Sequence, residues 1–170
     1  MPEITLCGPP DGFVISALPV GRGILALAPL PVAGGHIEED LAHLRDWSPA
    51  LVITAMTREE LIVNNARTLG NMIEDTGTRW VQLPVTDGAT PNPRDDLLWK
   101  KTSDSALRAL RGGGRVLVHC HGGCGRSGMI TMRLMVLAGE APDKALHRLR
   151  RLRPCAIETE MQMRWARMGR

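Results

Sequence analysis

The segment 116–128 reads Val-Leu-Val-His-Cys-His-Gly-Gly-Cys-Gly-Arg-Ser-Gly and passes from an apolar strand, through a glycine-rich loop, into a predicted helix. Glycines let successive backbone N–H groups turn toward one point without Cβ clashes. The positive end of the following helix points at the same place. The segment therefore predicts a nest for a tetrahedral oxyanion. The residues expected to surround that anion are His121, Gly122, Gly123, Cys124, Gly125 and Arg126.

Four side chains around this loop have predicted chemical roles. The planar guanidinium of Arg126 can hold two oxygens of a phosphate at once. Helix N-termini and neighbouring cations favour a thiolate, so we expect Cys120 to be an ionised nucleophile at neutral pH. His119 is expected to fix the loop by hydrogen bonds to its carbonyls, and the Ser127 hydroxyl to stabilise the thiolate as a leaving group. The alternative, a buried structural cysteine, leaves the combination of cysteine, glycines, arginine and serine unexplained.

The pattern His119-Cys120-x5-Arg126-Ser127 resembles the signature of the cysteine-dependent protein tyrosine phosphatase superfamily. Its glycine-rich form is most similar to small dual-specificity phosphatases, especially the kinase-associated phosphatase branch. The order of predicted elements extends the resemblance over about residues 51–165. The resemblance implies a phosphocysteine intermediate, with no metal and no cofactor.

A phosphatase of this kind also needs a general acid, because a thiolate cannot protonate the leaving oxygen. Asp87 follows a predicted strand on a Gly- and Pro-rich loop, 33 residues before Cys120. This placement matches the general acid of the superfamily. An ordinary Asp-Gly turn is the alternative interpretation. Asp95 and Asp96 are the other candidates, although they read more naturally as the acidic first turn of a helix.

The segment 153–162 reads Arg-Pro-Cys-Ala-Ile-Glu-Thr-Glu-Met-Gln and resembles a segment that follows the penultimate helix in related small phosphatases. The resemblance implies that Gln162 positions the water that hydrolyses the phosphocysteine. Thr159 and Gln162 also have the spacing of a capping box at the start of a helix. Both interpretations of Gln162 stay open. Cys155 stands where the family often has glycine.

The four cysteines are Cys7, Cys120, Cys124 and Cys155, and they do not predict a disulfide framework. We find no signal-peptide pattern and no apolar run of the ~20 residues that span a bilayer. A cytoplasmic location is therefore expected. Cys120, His121 and Cys124 lack a fourth ligand, so no metal site is predicted. A separate hypothesis gives Cys124 a reversible disulfide with Cys120 that prevents over-oxidation; the alternative is a small residue that fills the loop.

The composition predicts a single domain over residues 1–170, since 44% of the residues are hydrophobic and no linker or repeat is visible. Lys and Arg number 21 against 18 Asp and Glu, which argues against bulk nucleic-acid binding. Residues 144–170 are more basic, with eight Lys or Arg against two Glu. A solvated helix face explains such a run. A docking surface for a phosphoprotein or an acidic lipid is the more specific alternative.

Strand and helix patterns alternate along the chain after an N-terminal hairpin. Strands are predicted over 13–18, 23–28, 51–55, 80–85 and 116–119, and helices over 36–45, 58–74, 95–110, 127–138, 143–152 and 159–168. This order predicts an α/β fold of the protein tyrosine phosphatase type, a single three-layer domain with a mostly parallel central sheet flanked by helices. Ligands bind beyond the carboxyl ends of such strands, where Cys120 and Asp87 both fall.

The predicted reaction is hydrolysis of phosphate monoesters on tyrosine, serine or threonine of proteins. The chain has no tyrosine and one phenylalanine, which indicates a shallow pocket, and small phosphoesters remain possible substrates. The loop has no lysine, so phosphoinositides and RNA 5′-phosphates rank lower. Two alternatives remain: a phosphoprotein-binding module without turnover, and a sulfur-transfer or arsenate-reducing enzyme with the same Cys-x5-Arg loop. A P-loop NTPase is excluded, because Arg126 stands where that motif needs lysine.

Overall fold

The computed structural model of the chain describes residues 13–169. Within this range the strands are β1 (Ser16–Val20), β2 (Gly23–Ala28), β3 (Leu51–Thr54), β4 (Arg79–Gln82) and β5 (Arg115–His119). The helices are α1 (Ile37–Trp47), α2 (Arg58–Val63), α3 (Leu69–Asp75), α4 (Asp96–Arg111), α5 (Gly125–Leu137), α6 (Pro142–Leu152) and α7 (Glu160–Arg167). A single 3-10 turn, Pro93–Asp95, leads into α4.

The strands form one sheet in the order β1-β2-β5-β3-β4. The β1–β2 hairpin is antiparallel, and the other three pairings are parallel. The central strand is β5, whose Val118 pairs with Leu27 on one side and Ile53 on the other. Its apolar side chains are fully buried, as expected for a strand covered on both faces. The predicted α/β fold with a mostly parallel sheet is confirmed.

The register of the sheet sets where the functional residues meet. Thr54 at the end of β3 pairs with His119 at the end of β5 and with Gln82 at the end of β4. The loops that leave β5 and β4 therefore start side by side at the carboxyl edge of the sheet. One of these loops carries Cys120 and the other carries Asp87.

The long helix predicted over 58–74 is wrong, because it is two helices. α2 ends at Val63, and the Asn64 side chain donates to the Glu60 carbonyl, which closes the last turn. Asn65 then takes a left-handed conformation, with φ of 56°, which ends the helix. The strand predicted from residue 13 also begins later, at Ser16, and its hairpin turns at positions 21–22.

Several basic residues of the C-terminal helices contact acids or carbonyls of the same chain. Arg148 forms an ion pair with Glu140, and Arg167 forms one with Asp143. Arg150 donates to the backbone carbonyls of positions 156 and 157. These contacts weaken the interpretation of this run as a docking surface, because these arginines already have partners within the chain. No helix between residues 13 and 169 has both the length and the apolarity to cross a bilayer.

Candidate active site

A cavity of about 420 Å³ opens at the carboxyl edge of the sheet. The segment 120–126 forms its floor, and α2, the Asp87 loop and the segment before α7 form its walls. On one wall the Nε2 atom of His121 lies 3.2 Å from Oδ1 of Asn64. The lining residues are Glu60, Asn64, Asp87, Cys120, His121, Gly122, Cys124, Gly125, Arg126 and Glu158.

The carbonyl groups of residues 120–124 all accept hydrogen bonds from other groups of the chain. The Cys120 carbonyl accepts from Nδ1 of His119, and the His121 carbonyl accepts from the amide of residue 30. Arg153 donates from Nη2 to the Gly122 carbonyl and from Nε to the Gly123 carbonyl. The amides of residues 128 and 157 donate to the Cys124 carbonyl.

This arrangement leaves the amide side of the loop available. In residues 13–169, the N–H groups of positions 121–124 have no acceptor. Buried or half-buried N–H groups without partners that line one concavity are an anion-binding nest. The loop therefore has the hydrogen-bonding pattern of a phosphate site.

Gly123 is the position where this loop requires a glycine. Its φ is +73°, a conformation that side chains with a Cβ rarely adopt. A Cβ there would also lie 2.6 Å from the amide nitrogen of Pro29, at the end of β2. The glycine lets the loop turn against the neighbouring strand, and Gly123 itself is not among the residues that line the cavity.

Cys120 is 3% exposed and is the free cysteine of the described part of the chain. Its Sγ lies 3.3 Å from Oγ of Ser127, whose side chain is fully buried in the first turn of α5. When the sulfur is a thiolate, the serine hydroxyl is the donor of this hydrogen bond. The same hydroxyl can donate to the sulfur as it leaves a bound phosphate.

Arg126 is held in place by acceptors on other elements. Its Nη1 donates to Oε1 of Glu60 at 2.6 Å and to the Val85 carbonyl at 2.8 Å, and its Nη2 lies 3.7 Å from Oδ1 of Asp87. Burial acts to lower the pKa of Arg126, but Glu60 and the charges of Cys120 and Asp87 outweigh it and raise that pKa. The guanidinium is therefore a fixed, permanent cation beside the sulfur.

Glu60 is the acidic partner of Arg126. It lies at the third position of α2, where its carboxylate also accepts from the Thr57 amide in a capping box. Partial burial acts to raise the pKa of Glu60, but the hydrogen bond and charge of Arg126, together with Thr57, lower it. Glu60 is ionised at neutral pH.

His119 supports the loop through a buried chain of hydrogen bonds. The Trp80 indole donates to Oγ1 of Thr54 at 2.8 Å, and Thr54 lies 2.7 Å from Nε2 of His119. The Thr54 hydroxyl therefore donates to Nε2, and the Nδ1–H of His119 donates to the Cys120 carbonyl. Burial and the nearby charge of Arg126 lower the pKa of His119 to about 4, although the carbonyl acts to raise it. The imidazole is neutral, as this chain requires.

Asp87 reaches the cavity from its own loop. Its side chain is 79% exposed and faces Arg126. Asp95 and Asp96 lie at the start of α4, and neither lines the cavity. Of the three acids that the sequence offers, the structure brings only Asp87 to the sulfur and the arginine.

Gln162 is fully buried and does not line the cavity. It closes a capping box with Thr159 at the start of α7, and its Oε1 accepts from the amides of Glu158 and Thr159. Its Nε2 donates to the Ala89 carbonyl at 3.2 Å, two residues after Asp87. The structure favours the capping interpretation of Gln162 over direct contact with a water in the cavity.

Cys124 forms a disulfide with Cys155, across 31 residues of sequence. The expectation of no disulfide is therefore wrong, and so is the hypothesis that Cys124 pairs with Cys120. The amide of residue 157 donates to the Cys124 carbonyl, which brings the segment after α6 against the loop. Cys7 lies outside the described residues.

Sequence reasoning missed several residues that shape this site. Glu60 had a visible signal, the Thr-x-x-Glu spacing of a capping box, but that pattern does not reveal its contact with Arg126. Thr54, Trp80 and Arg153 act across long sequence separations and gave no local signal. In the described range, no three His, Cys, Asp or Glu side chains cluster where they could hold a metal ion.

Curated proteins have sequences similar to this chain. Cyclin-dependent kinase inhibitor 3 of Mus musculus is 29% identical over 129 residues, which cover 75% of this chain and 60% of that protein. The Homo sapiens protein of the same name is 26% identical over 130 residues. The chain thus spans about 60% of the length of the curated relatives it matches.

Solved structures share the fold. A crystal structure of kinase associated phosphatase, with serine in place of the catalytic cysteine, superposes with a TM-score of 0.77 at 22% identity, over 92% of this chain and 93% of that chain. The active form of Tk-PTP gives a TM-score of 0.69 at 29% identity, over 88% and 92%. A family model described as "Swiss Army Knife protein, DSP-PTPase phosphatase domain" matches residues 27–167. This match and the loop geometry support the resemblance drawn from the sequence, and the chain belongs to that DSP-PTPase family.

Proposed function

We propose that this protein is a cysteine-dependent phosphatase that hydrolyses phosphate monoesters through a phosphocysteine intermediate. The observation that carries the proposal is the floor of the cavity. There the Cys120 sulfur lies beneath a loop whose carbonyls are all bound elsewhere and whose amides have no partner. A dianion is the ligand that satisfies such a loop.

The first chemical step is transfer of the phosphoryl group to sulfur. The loop amides and Arg126 hold the non-bridging oxygens, and the Cys120 thiolate attacks phosphorus. Asp87, on the open side of the cavity, donates a proton to the departing ester oxygen. The bond from phosphorus to that oxygen breaks as the bond from sulfur to phosphorus forms.

The second step returns the enzyme to its starting state. Asp87, now ionised, accepts a proton from a water molecule that attacks the phosphocysteine. Ser127 donates a hydrogen bond to the sulfur as it leaves, at the 3.3 Å separation already present. Gln162 acts indirectly, because it fixes the backbone beside Asp87 through Ala89.

The proposed substrates are phosphorylated tyrosine, serine or threonine residues of proteins. The described lining of the cavity includes no phenyl, phenol or indole ring that could enclose a phosphotyrosine ring. A site without such walls accepts the shorter phosphoserine and phosphothreonine side chains as well. The family name and the name of the kinase associated phosphatase fit this substrate class.

We further propose that residues 1–170 act as one domain in a reducing, cytoplasmic location, where the Cys120 nucleophile stays reduced. The family match over 27–167 and the single sheet support the domain proposal. The Cys124–Cys155 disulfide counts against the proposed location. Alkylation of thiols at the moment of lysis, followed by mass spectrometry of both cysteines, tests it.

The deciding experiment is hydrolysis of p-nitrophenyl phosphate in the presence of EDTA, with wild type and Cys120→Ser compared. We expect turnover by the wild type, inhibition by vanadate, and loss of turnover in the variant with phosphate binding retained. Tight phosphate binding by both proteins without turnover would favour the binding module. Persulfide formation at Cys120 from thiosulfate would favour sulfur transfer.

A further inference from the structure

The charges around the cavity are unusual for a site that binds a dianion. Three of its lining residues are carboxylates, Glu60, Asp87 and Glu158, and Arg126 is the one permanent cation among the lining residues. The attacking group, Cys120, adds a further negative charge when ionised. Affinity for phosphate therefore depends on the loop amides and on a single guanidinium.

That guanidinium is already matched by an acid. Arg126 binds Glu60 at 2.6 Å and lies 3.7 Å from Asp87. Glu60 in turn is bound by Arg126 and by its capping box. The charge of Arg126 is thus balanced before a substrate arrives, and it does not offset a third carboxylate.

Glu158 is the carboxylate left without a counter-charge. Its side chain is exposed and has no ion pair or hydrogen bond in residues 13–169. Its recorded hydrogen bond is from its backbone amide to Oε1 of Gln162, at 3.0 Å. The backbone of Glu158 is therefore fixed by α7, while its carboxylate faces the cavity freely.

The position of this carboxylate is set by the anion loop itself. A Cβ placed on Gly125 would lie 2.7 Å from Oε2 of Glu158, so the carboxylate packs directly over that residue. Gly125 begins α5 and precedes Arg126. A substrate phosphate held by the loop would share this region with the Glu158 charge. Groups attached near that phosphate must pass the same carboxylate.

Building on the proposed phosphatase activity, we propose that Glu158 is a specificity-determining residue that selects phosphopeptides with a lysine or arginine next to the phosphorylated residue. A cationic side chain there pairs with the free carboxylate. A second anion, such as an acidic neighbour or a second phosphate, is repelled by it. At separations of about 6 Å near a protein surface, one such interaction changes affinity on the order of tenfold.

The test compares kcat/KM for three phosphopeptides that differ only beside the phosphorylated residue, where they carry lysine, alanine or glutamate. We expect wild type to prefer the lysine peptide over the glutamate peptide, and Glu158→Gln to reduce that ratio about tenfold. The lysine-to-glutamate ratio of kcat/KM should also decrease in 0.5 M salt, because salt screens the interaction between exposed charges. Glu160→Gln is the matched control, because this exposed acid lies two positions later and does not line the cavity.

The results separate this inference from the proposed function. If the wild type does not turn over p-nitrophenyl phosphate, the phosphatase proposal fails. If the wild type is active but its lysine-to-glutamate ratio is unchanged by Glu158→Gln, only the role of Glu158 is overturned. Equal slowing of all three peptides would also overturn it, because the carboxylate would then act in the chemistry and not in selection.

Discussion

Glu60 and Arg126 are 66 residues apart in sequence, and they form the tightest charged contact of the cavity, 2.6 Å from Oε1 to Nη1. Arg126 is 3% exposed and Glu60 is 27% exposed, so the pair is largely shielded from water. A shielded cation needs such a partner to stay charged and to keep one orientation. The capping box of a short helix thus also orients Arg126, the arginine that we propose binds phosphate.

Glu60→Gln tests this relationship. The amide keeps the size of the side chain but loses the charge, so Arg126 is held less firmly. A hydrogen bond to a charged group contributes about 1.5–3 kcal/mol, and we expect kcat/KM for p-nitrophenyl phosphate to fall roughly 10- to 100-fold. Glu59→Gln, the exposed neighbour on α2, is the control. Equal activity of the two variants would show that the ion pair does not orient Arg126.

Asp87→Asn separates leaving groups by their need for a proton. Loss of general acid catalysis costs about 10²- to 10⁴-fold for phosphoserine peptides, whose alkoxide is a poor leaving group. Aryl esters such as p-nitrophenyl phosphate need little protonation, so their rate should fall much less. Rates for both substrates measure the difference, with Asp95→Asn as control. Equal slowing of both esters by Asp87→Asn would assign the acid to another residue.

The lowered pKa of His119 predicts that the free energy of unfolding depends on pH. Its pKa is about 4 in the folded protein against 6.5 ordinarily, so the unfolded chain binds more protons between these values. Stability is therefore fully present above pH 6.5 and falls as the pH drops toward 4, by roughly 3 kcal/mol at 1.36 kcal/mol per pH unit.

Urea unfolding of wild type and His119→Gln between pH 7 and pH 4.5 measures this effect. The free energy of unfolding should depend less steeply on pH in the variant, which cannot titrate. Glu60, whose pKa lies below 4.5, loses its contribution only at lower pH. His147→Gln removes an exposed histidine and serves as the control. Parallel pH profiles for wild type and His119→Gln would refute the assignment.

Cys155→Ser tests what the disulfide contributes to stability. In the chain-entropy description, a cross-link over 31 residues lowers the entropy of the unfolded chain and so stabilises the fold by about 3.7 kcal/mol. Under oxidising conditions we expect the variant to unfold at lower urea concentration than wild type. With a dithiol reductant present the two proteins should unfold at similar concentrations. If the urea midpoint of wild-type unfolding is the same with and without the reductant, the cross-link is absent in solution.

The sequence predicts best where the signal is local. The glycine-rich loop, the apolar β5 and the order of strands and helices follow from short patterns, and the structure agrees with them. The single long helix over 58–74 was wrong because Asn64 and Asn65 end it with a side-chain bond and a positive φ, which helical periodicity does not reveal.

The remaining parts of the site depend on tertiary contacts. Arg153 reaches the carbonyls of Gly122 and Gly123 across 31 and 30 residues. Trp80 reaches Thr54 across 26 residues. Side chains of this kind could serve many purposes, and only the tertiary fold brings them to their acceptors. The Cys124–Cys155 pairing is unpredictable for the same reason.

The start of α7 also fixes the loop that follows β4. Thr159 donates to the Gly88 carbonyl at 3.0 Å, and Gln162 donates to the Ala89 carbonyl at 3.2 Å. The two residues directly after Asp87 are thus bound to the scaffold before any substrate enters. The entropy of ordering this loop is lost during folding and not at each catalytic cycle. In the mechanism that we propose, turnover therefore needs no slow loop closure. Rotation of one exposed aspartate side chain, a movement of picoseconds to nanoseconds, would bring the proton to the leaving group.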